Sequence, residues 1–153
     1  MMRVHVTLAI ASLLAMPIAA IAAGCTVTAT ALNFGIYNPL ASANDDSTGT
    51  LDVECPGQTV TYTVAAAAGN GTFTERQMLA GSQALAYNVY IDTQRSKIWG
   101  DGTGATSVIS GSYPPASGSG ALTFYGRINA RQTGVVAGSG NTFTDSLAVT
   151  VTF

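Results

Sequence analysis

Along most of the chain, apolar and polar residues alternate with a period of two. The runs Leu51, Val53, Cys55; Val60, Tyr62, Val64; Leu85, Tyr87, Val89, Ile91; Leu122, Phe124, Ile128; and Leu147, Val149, Val151, Phe153 each put every second side chain on one face. That pattern predicts half-buried strands. No long stretch repeats at the helical period. Between the runs lie tracts rich in turn-forming residues: Asn44 to Gly49, Gly69-Asn70-Gly71, Gly100 to Gly104, Gly111 to Gly120 with Pro114-Pro115, and Gly138 to Asn141. Val27 and Leu32 are out of phase, which predicts a bulge or bend between Ala29 and Leu32, before Phe34. Short strands at this spacing, joined by turn chemistry, predict an all-β sandwich. The last alternating run reaches Phe153, with no residue after it to turn and pair again. The expectation is a final strand with an unpaired edge or an open apolar slot beside it.

Composition narrows this picture. A chain of 153 residues has room for one compact domain. Only 9% of residues are charged, which suits short strands better than charged amphipathic helices. The first residues read as a secretory leader: Arg3 forms a positive head, Val6 to Met16 is almost wholly apolar, and Pro17 ends that run. Ala20-Ile21-Ala22 then satisfies the small-x-small rule, with cleavage before Ala23. Residues 1–22 are thus expected to be a signal peptide and residues 23–153 the domain. Two rivals remain: a membrane anchor, for which the apolar run is barely long enough, and a lipoprotein. Ala22-Ala23-Gly24-Cys25 would place Cys25 for lipid attachment, but Ala22 stands where a branched apolar residue is normally wanted. Without Arg3, five of the six basic residues face eight acidic ones, a net charge of −3. Nothing basic clusters, so nucleic acid is not expected as a partner.

Cys25 and Cys55 are the only cysteines, and export would place both in an oxidising compartment where pairing is the default. Their phases agree. Cys25 shares a strand face with Val27, and Cys55 shares one with Leu51 and Val53, so both sulfurs are expected in the core. Closing a loop of this length stabilises a fold by roughly 3 to 4 kcal/mol in the chain-entropy model. A redox or metal-binding thiol pair would need C-x-x-C spacing or histidine partners, and neither is present.

Candidate chemistry is sparse. His5 is the only histidine and belongs to the leader, so the mature domain has none for a Ser-His-Asp site or a histidine-bound metal. Paired carboxylates could act together, as in glycoside hydrolysis, and Asp45-Asp46 or Asp52 with Glu54 are the candidates. The first pair reads as turn chemistry and the second as the solvent side of a strand. Gly100-Asp101-Gly102-Thr103-Gly104 has the glycines of a phosphate cradle, but no Lys-Ser/Thr follows, so it reads as a tight turn. Asp101 is too isolated an acid for calcium. Trp99 and Tyr113 read as core or loop-pinning aromatics, with surface or sugar contact as the alternative. No enzyme activity, cofactor, metal or small-molecule substrate is expected.

Seven segments, taken in order, carry a resemblance. Cys25-Thr26-Val27, then Leu32-Asn33-Phe34-Gly35-Ile36-Tyr37-Asn38-Pro39, then Val53-Glu54-Cys55 resemble the opening of the spore coat protein U domain family. Tyr87-Asn88-Val89-Tyr90, Trp99-Gly100-Asp101-Gly102-Thr103 and Tyr125-Gly126-Arg127-Ile128 resemble its middle, and Phe143 through Phe153 its final strand. The segments span essentially the whole mature chain.

The resemblance implies an incomplete immunoglobulin-like β-sandwich that lacks its final strand and is completed by a donor strand. It also implies a structural subunit of a chaperone-usher fibre or of a spore coat, carried through the periplasm to the cell surface. The implied partners are a periplasmic chaperone, an outer-membrane usher and other pilus subunits, with recognition through a main-chain ladder and alternating side chains. Val27 and Phe34 on the first strand and Val149, Val151 and Phe153 on the last would border the donor-strand groove. One departure stands out: cleavage leaves only Ala23-Gly24 before Cys25, so the chain is expected to receive a strand without donating one, as a tip or minor subunit would. For a tip, the loop Gly111 to Gly120 would be a candidate adhesive surface. The alternative is a self-contained secreted or lipid-anchored surface-binding module.

Overall fold

In a computed structural model of the chain, residues 3–10, 24–115, 121–135 and 141–153 are described. They form eleven strands and no helix: β1 (Arg3–Ile10), β2 (Thr26–Ala29), β3 (Asp45–Glu54), β4 (Val60–Ala66), β5 (Arg76–Ala80), β6 (Gln83–Tyr90), β7 (Ile98–Trp99), β8 (Thr106–Ser107), β9 (Ile109–Tyr113), β10 (Ala121–Ile128) and β11 (Asp145–Thr152). One sheet runs β1-β11-β4-β9. The other runs β2-β3-β10-β6-β7-β8, with β5 also paired to β6. The two sheets share one apolar core, giving an immunoglobulin-like all-β sandwich.

The alternation read from the sequence is the alternation of burial. Leu51, Val53 and Cys55 are buried, as are Tyr62, Val64 and Ala66; Leu85, Tyr87 and Val89; Phe124 and Ile128; and Leu147, Val149 and Val151. Trp99 is fully buried, lies against Phe124 at a centroid distance of 4.9 Å, and donates its indole N–H to the Val64 carbonyl. That bond crosses from β7 to β4 and so links the two sheets.

Three expectations change. The tract Asn44 to Gly49 is mostly strand: β3 begins at Asp45, and Asp45-Asp46 sits in the ladder opposite Ile128 and Arg127. Gly111 to Tyr113 likewise belongs to β9, with residues 116–120 outside the described set. The reason is the same in both places. Gly49 and Gly111 lie directly opposite Phe124 and Tyr62, and a Cβ on either glycine would come within 2.3 Å or 2.5 Å of the facing ring. These glycines seat aromatic rings across a ladder and do not turn the chain.

The third change concerns the edge of the last strand. Residues 3–10, read from the sequence as leader, form β1 and pair antiparallel with β11 along its whole length. The edge expected to stand open is therefore covered by the chain's own backbone. The cleavage region, residues 11–23, lies outside the described set.

Candidate functional site

The site is built on β11. It begins at Asp145 and ends at Thr152, with β4 on one side and β1 on the other. Thr144 extends the strand's start by a bridge to Leu79 of β5. Leu147, Val149 and Val151 have no exposed surface, and burying each such side chain contributes about 1.5 to 3 kcal/mol. Phe153, half-buried, meets the Tyr62 ring edge-on at 6.1 Å.

Asp145 anchors the start of β11. One carboxylate oxygen accepts hydrogen bonds from the Asn70 amide N–H (3.1 Å), the Asn70 side-chain N–H (3.0 Å) and the Ser146 N–H (2.7 Å); the other accepts from the Tyr87 hydroxyl (2.7 Å). Gly69, at a φ of 63°, packs so closely that a Cβ there would lie 2.4 Å from this carboxylate. Burial, followed by the bond to Asp145 and its charge, pushes the Tyr87 hydroxyl far above the ordinary tyrosine range.

Arg76, also fully buried, donates to the carbonyls of Ala67 and Trp99 and to the Asn88 side-chain oxygen. Asn88 in turn donates to the carbonyls of Phe73 and Thr74. Burial pushes the Arg76 guanidinium downward, while Tyr87, Asp145 and Tyr90 act against that shift. Among the described residues no carboxylate lies within ion-pair distance of it, and its guanidinium also lies over the Phe73 ring, 5.5 Å from the centroid. The sequence held no signal for this network, since Arg76 and Asp145 look like ordinary surface charges.

The expected residues fall as follows. Cys25 and Cys55 are joined in a disulfide across 30 positions, both inside the core. Val27 is buried on β2, the edge strand of the larger sheet. Phe34 stands beyond β2, which ends at Ala29; it is half-buried and meets Tyr87 edge-on at 6.3 Å. Val149 and Val151 lie on β11, with Phe153 just beyond it. All five apolar residues join the common core.

Of the carboxylates weighed as candidate pairs, Asp46 is held in ion pairs. Asp46 takes a two-pronged contact from Arg127 at 2.7 and 2.9 Å and a second ion pair from Arg95 at 3.3 Å. The Arg127 hydrogen bond leads in holding its carboxyl below the usual range, whereas burial raises that of Asp45. Asp52 and Glu54 lie on the outward side of β3. Asp101 is taken up by Thr103 and Thr106 within its own turn. Among the described residues, no three His, Cys, Asp or Glu side chains gather as metal ligands would, and no helix is long and apolar enough to cross a membrane.

Residues 9–150 match the model of the Spore Coat Protein U domain. The chain belongs to that family. No curated protein matches this chain. Among solved structures it matches a chain in the crystal structure of the CsuC-CsuE chaperone-tip adhesion subunit pre-assembly complex, from archaic chaperone-usher Csu pili of Acinetobacter baumannii. The two are 22% identical with a TM-score of 0.53, over 84% of this chain and 39% of that one. The chain therefore spans about two-fifths of that relative's length, and the likeness is one of fold.

Proposed function

We propose that this chain is a non-enzymatic structural subunit of a surface fibre or coat, exported to the periplasm and assembled by strand complementation along β11. The observation that carries the reading is that, among the described residues, the outer edge of β11 is completed by residues 3–10, which the sequence marks as leader. Once they are gone, a row of main-chain N–H and C=O groups on β11 loses its partners. Val27 and Phe34 on one side and Val149, Val151 and Phe153 on the other are the groove-bordering residues. A strand from another molecule restores the ladder and seats alternate side chains in the groove. The partners that fit this chemistry are a periplasmic chaperone, an outer-membrane usher and neighbouring subunits, and the likeness in fold to a chain of a chaperone-subunit complex supports the same reading. With cleavage before Ala23, only Ala23 and Gly24 precede Cys25, so the mature chain receives a strand and occupies a tip or minor position.

The test is to produce residues 23–153 with and without a periplasmic chaperone of the same assembly system. Without it, the chain is expected to aggregate or to stay protease-sensitive. With it, a one-to-one soluble complex should form that yields its subunit to a donor-strand peptide. A cooperative, protease-resistant monomer that refolds unaided would instead identify a self-contained module.

A further inference from the structure

β1 and β11 match residue for residue, through eight Cα pairs from Arg3↔Thr152 to Ile10↔Asp145. Within the apolar leader this segment has a stricter pattern: Val4, Val6, Leu8 and Ile10 alternate with Arg3, His5, Thr7 and Ala9. Export requires an apolar run but no period of two. A strand that fills a groove requires that period. The pairing puts Val4, Val6 and Leu8 at the register positions of Val151, Val149 and Leu147, the three fully buried residues of β11. Arg3, His5, Thr7 and Ala9 take the positions of Thr152, Thr150, Ala148 and Ser146, the less buried set. A slip of one residue would exchange the two sets. β1 is an end strand whose ladder is with β11.

We infer that residues 3–10 are a self-complementing strand: in a chain that retains them they occupy the groove along β11, and removal of the leader exposes that groove to a strand from another molecule. The inference rests on the reading of the β11 edge given above. The covalent step is hydrolysis of the Ala22–Ala23 peptide bond, with water as co-reactant, leaving a carboxylate on Ala22 and an amine on Ala23. Before the cut, the strand is tethered and acts at the high effective concentration of an intramolecular partner. After it, the same strand holds only by its own affinity, and a competing strand displaces it. The unprocessed chain is thus closed to assembly by the segment that directs its export.

Hydrogen exchange of the β11 amides tests this directly. The mature chain, residues 23–153, is released under oxidising conditions from its soluble complex with a periplasmic chaperone into one of three peptides: residues 3–10 carrying a solubilising lysine tail, a peptide of the same composition with its four branched apolar residues grouped, or a generic alternating Thr-Val octapeptide. The 3–10 peptide is expected to slow exchange at the outer-edge amides of β11 by about tenfold or more, and the grouped peptide to leave them unprotected. In the chain that keeps residues 1–22 the same amides should be protected, and Val6→Asp should return them to the rate found for the mature chain with the grouped peptide. Equal effects of the 3–10 and grouped peptides, or full protection in the Val6→Asp chain, would overturn the inference. If the Thr-Val peptide protects and the 3–10 peptide does not, the inference fails and the groove reading survives. Protection of the mature chain with nothing added would sink both.

Discussion

The Tyr87 hydroxyl donates to the Asp145 carboxylate at 2.7 Å, joining β6 of the larger sheet to the first residue of β11 in the smaller one across 58 positions of sequence. Both residues are buried. The bond therefore ties the two layers together at the end of the strand whose outer edge is the candidate docking site.

Removing that hydroxyl should loosen the start of β11. Tyr87→Phe leaves one buried carboxylate oxygen without its partner and should cost about 1 to 3 kcal/mol, read as a lower urea midpoint. A pH dependence accompanies it. Below pH 10.0, the ordinary tyrosine value, folded and unfolded chains both hold the proton. Above it the unfolded chain ionises while folded Tyr87, its pKa raised, does not, so stability falls as pH rises toward the folded value. Urea midpoints followed upward from pH 9 should fall less steeply in Tyr87→Phe than in the unaltered chain, and parallel slopes would remove Tyr87 from the explanation.

Arg76 is the more severe site. Arg76→Ala strips donors from the buried carbonyls of Ala67 and Trp99 and from Asn88, and should cost about 3 kcal/mol or more. Arg76→Lys should rescue little, because a single ammonium cannot reproduce the planar fork that reaches all three acceptors. Thermal unfolding of the two variants side by side checks this, and near-native stability in the lysine variant would contradict it.

Loss of the disulfide should be felt throughout the domain. Cys25→Ser with Cys55→Ser opens a loop spanning 30 positions and should lower stability by roughly 3 to 4 kcal/mol. Urea unfolding with and without reductant gives the comparison, and a reductant effect that persists in the double variant would point elsewhere.

The in-strand glycines make a prediction about packing. Gly49→Ala or Gly111→Ala drives a methyl group into the facing ring of Phe124 or Tyr62, and each should cost about 1 to 3 kcal/mol by overpacking. Gly57→Ala is the contrast, since its positive φ of 77° strains the backbone while no atom lies within 4 Å of the added Cβ. Trimming the ring, as in Gly49→Ala with Phe124→Leu, should recover part of the loss in the first case. A double variant no better than the sum of its parts would argue against a direct clash.

Much of the fold could be read from alternation, because period-two burial is a local property: each of the runs through Leu51, Tyr62, Leu85, Phe124 and Val149 declares its inner face without knowledge of its neighbours. Glycine was harder. Gly49 and Gly111 carry the composition of turns, and only the strand opposite reveals that the missing side chain makes room for a ring. The segment 3–10 was open to two readings at once, since an apolar run and an alternating strand overlap there, and the hydrophobic content concealed the period. Trp99 was placed in the core by its size and apolar character, but its bond to Val64 had no trace in sequence.

The sequence alone determined the all-β class, the inner face of each long strand and the pairing of the two cysteines, because alternation and a single possible thiol partner are written along the chain. Tertiary structure alone decided which strands lie side by side, where Arg76 and Asp145 are satisfied, and that residues 3–10 lie along β11. Those outcomes depend on backbone groups and cavities supplied by residues tens to well over a hundred positions away, and no local pattern encodes what such distant partners will offer.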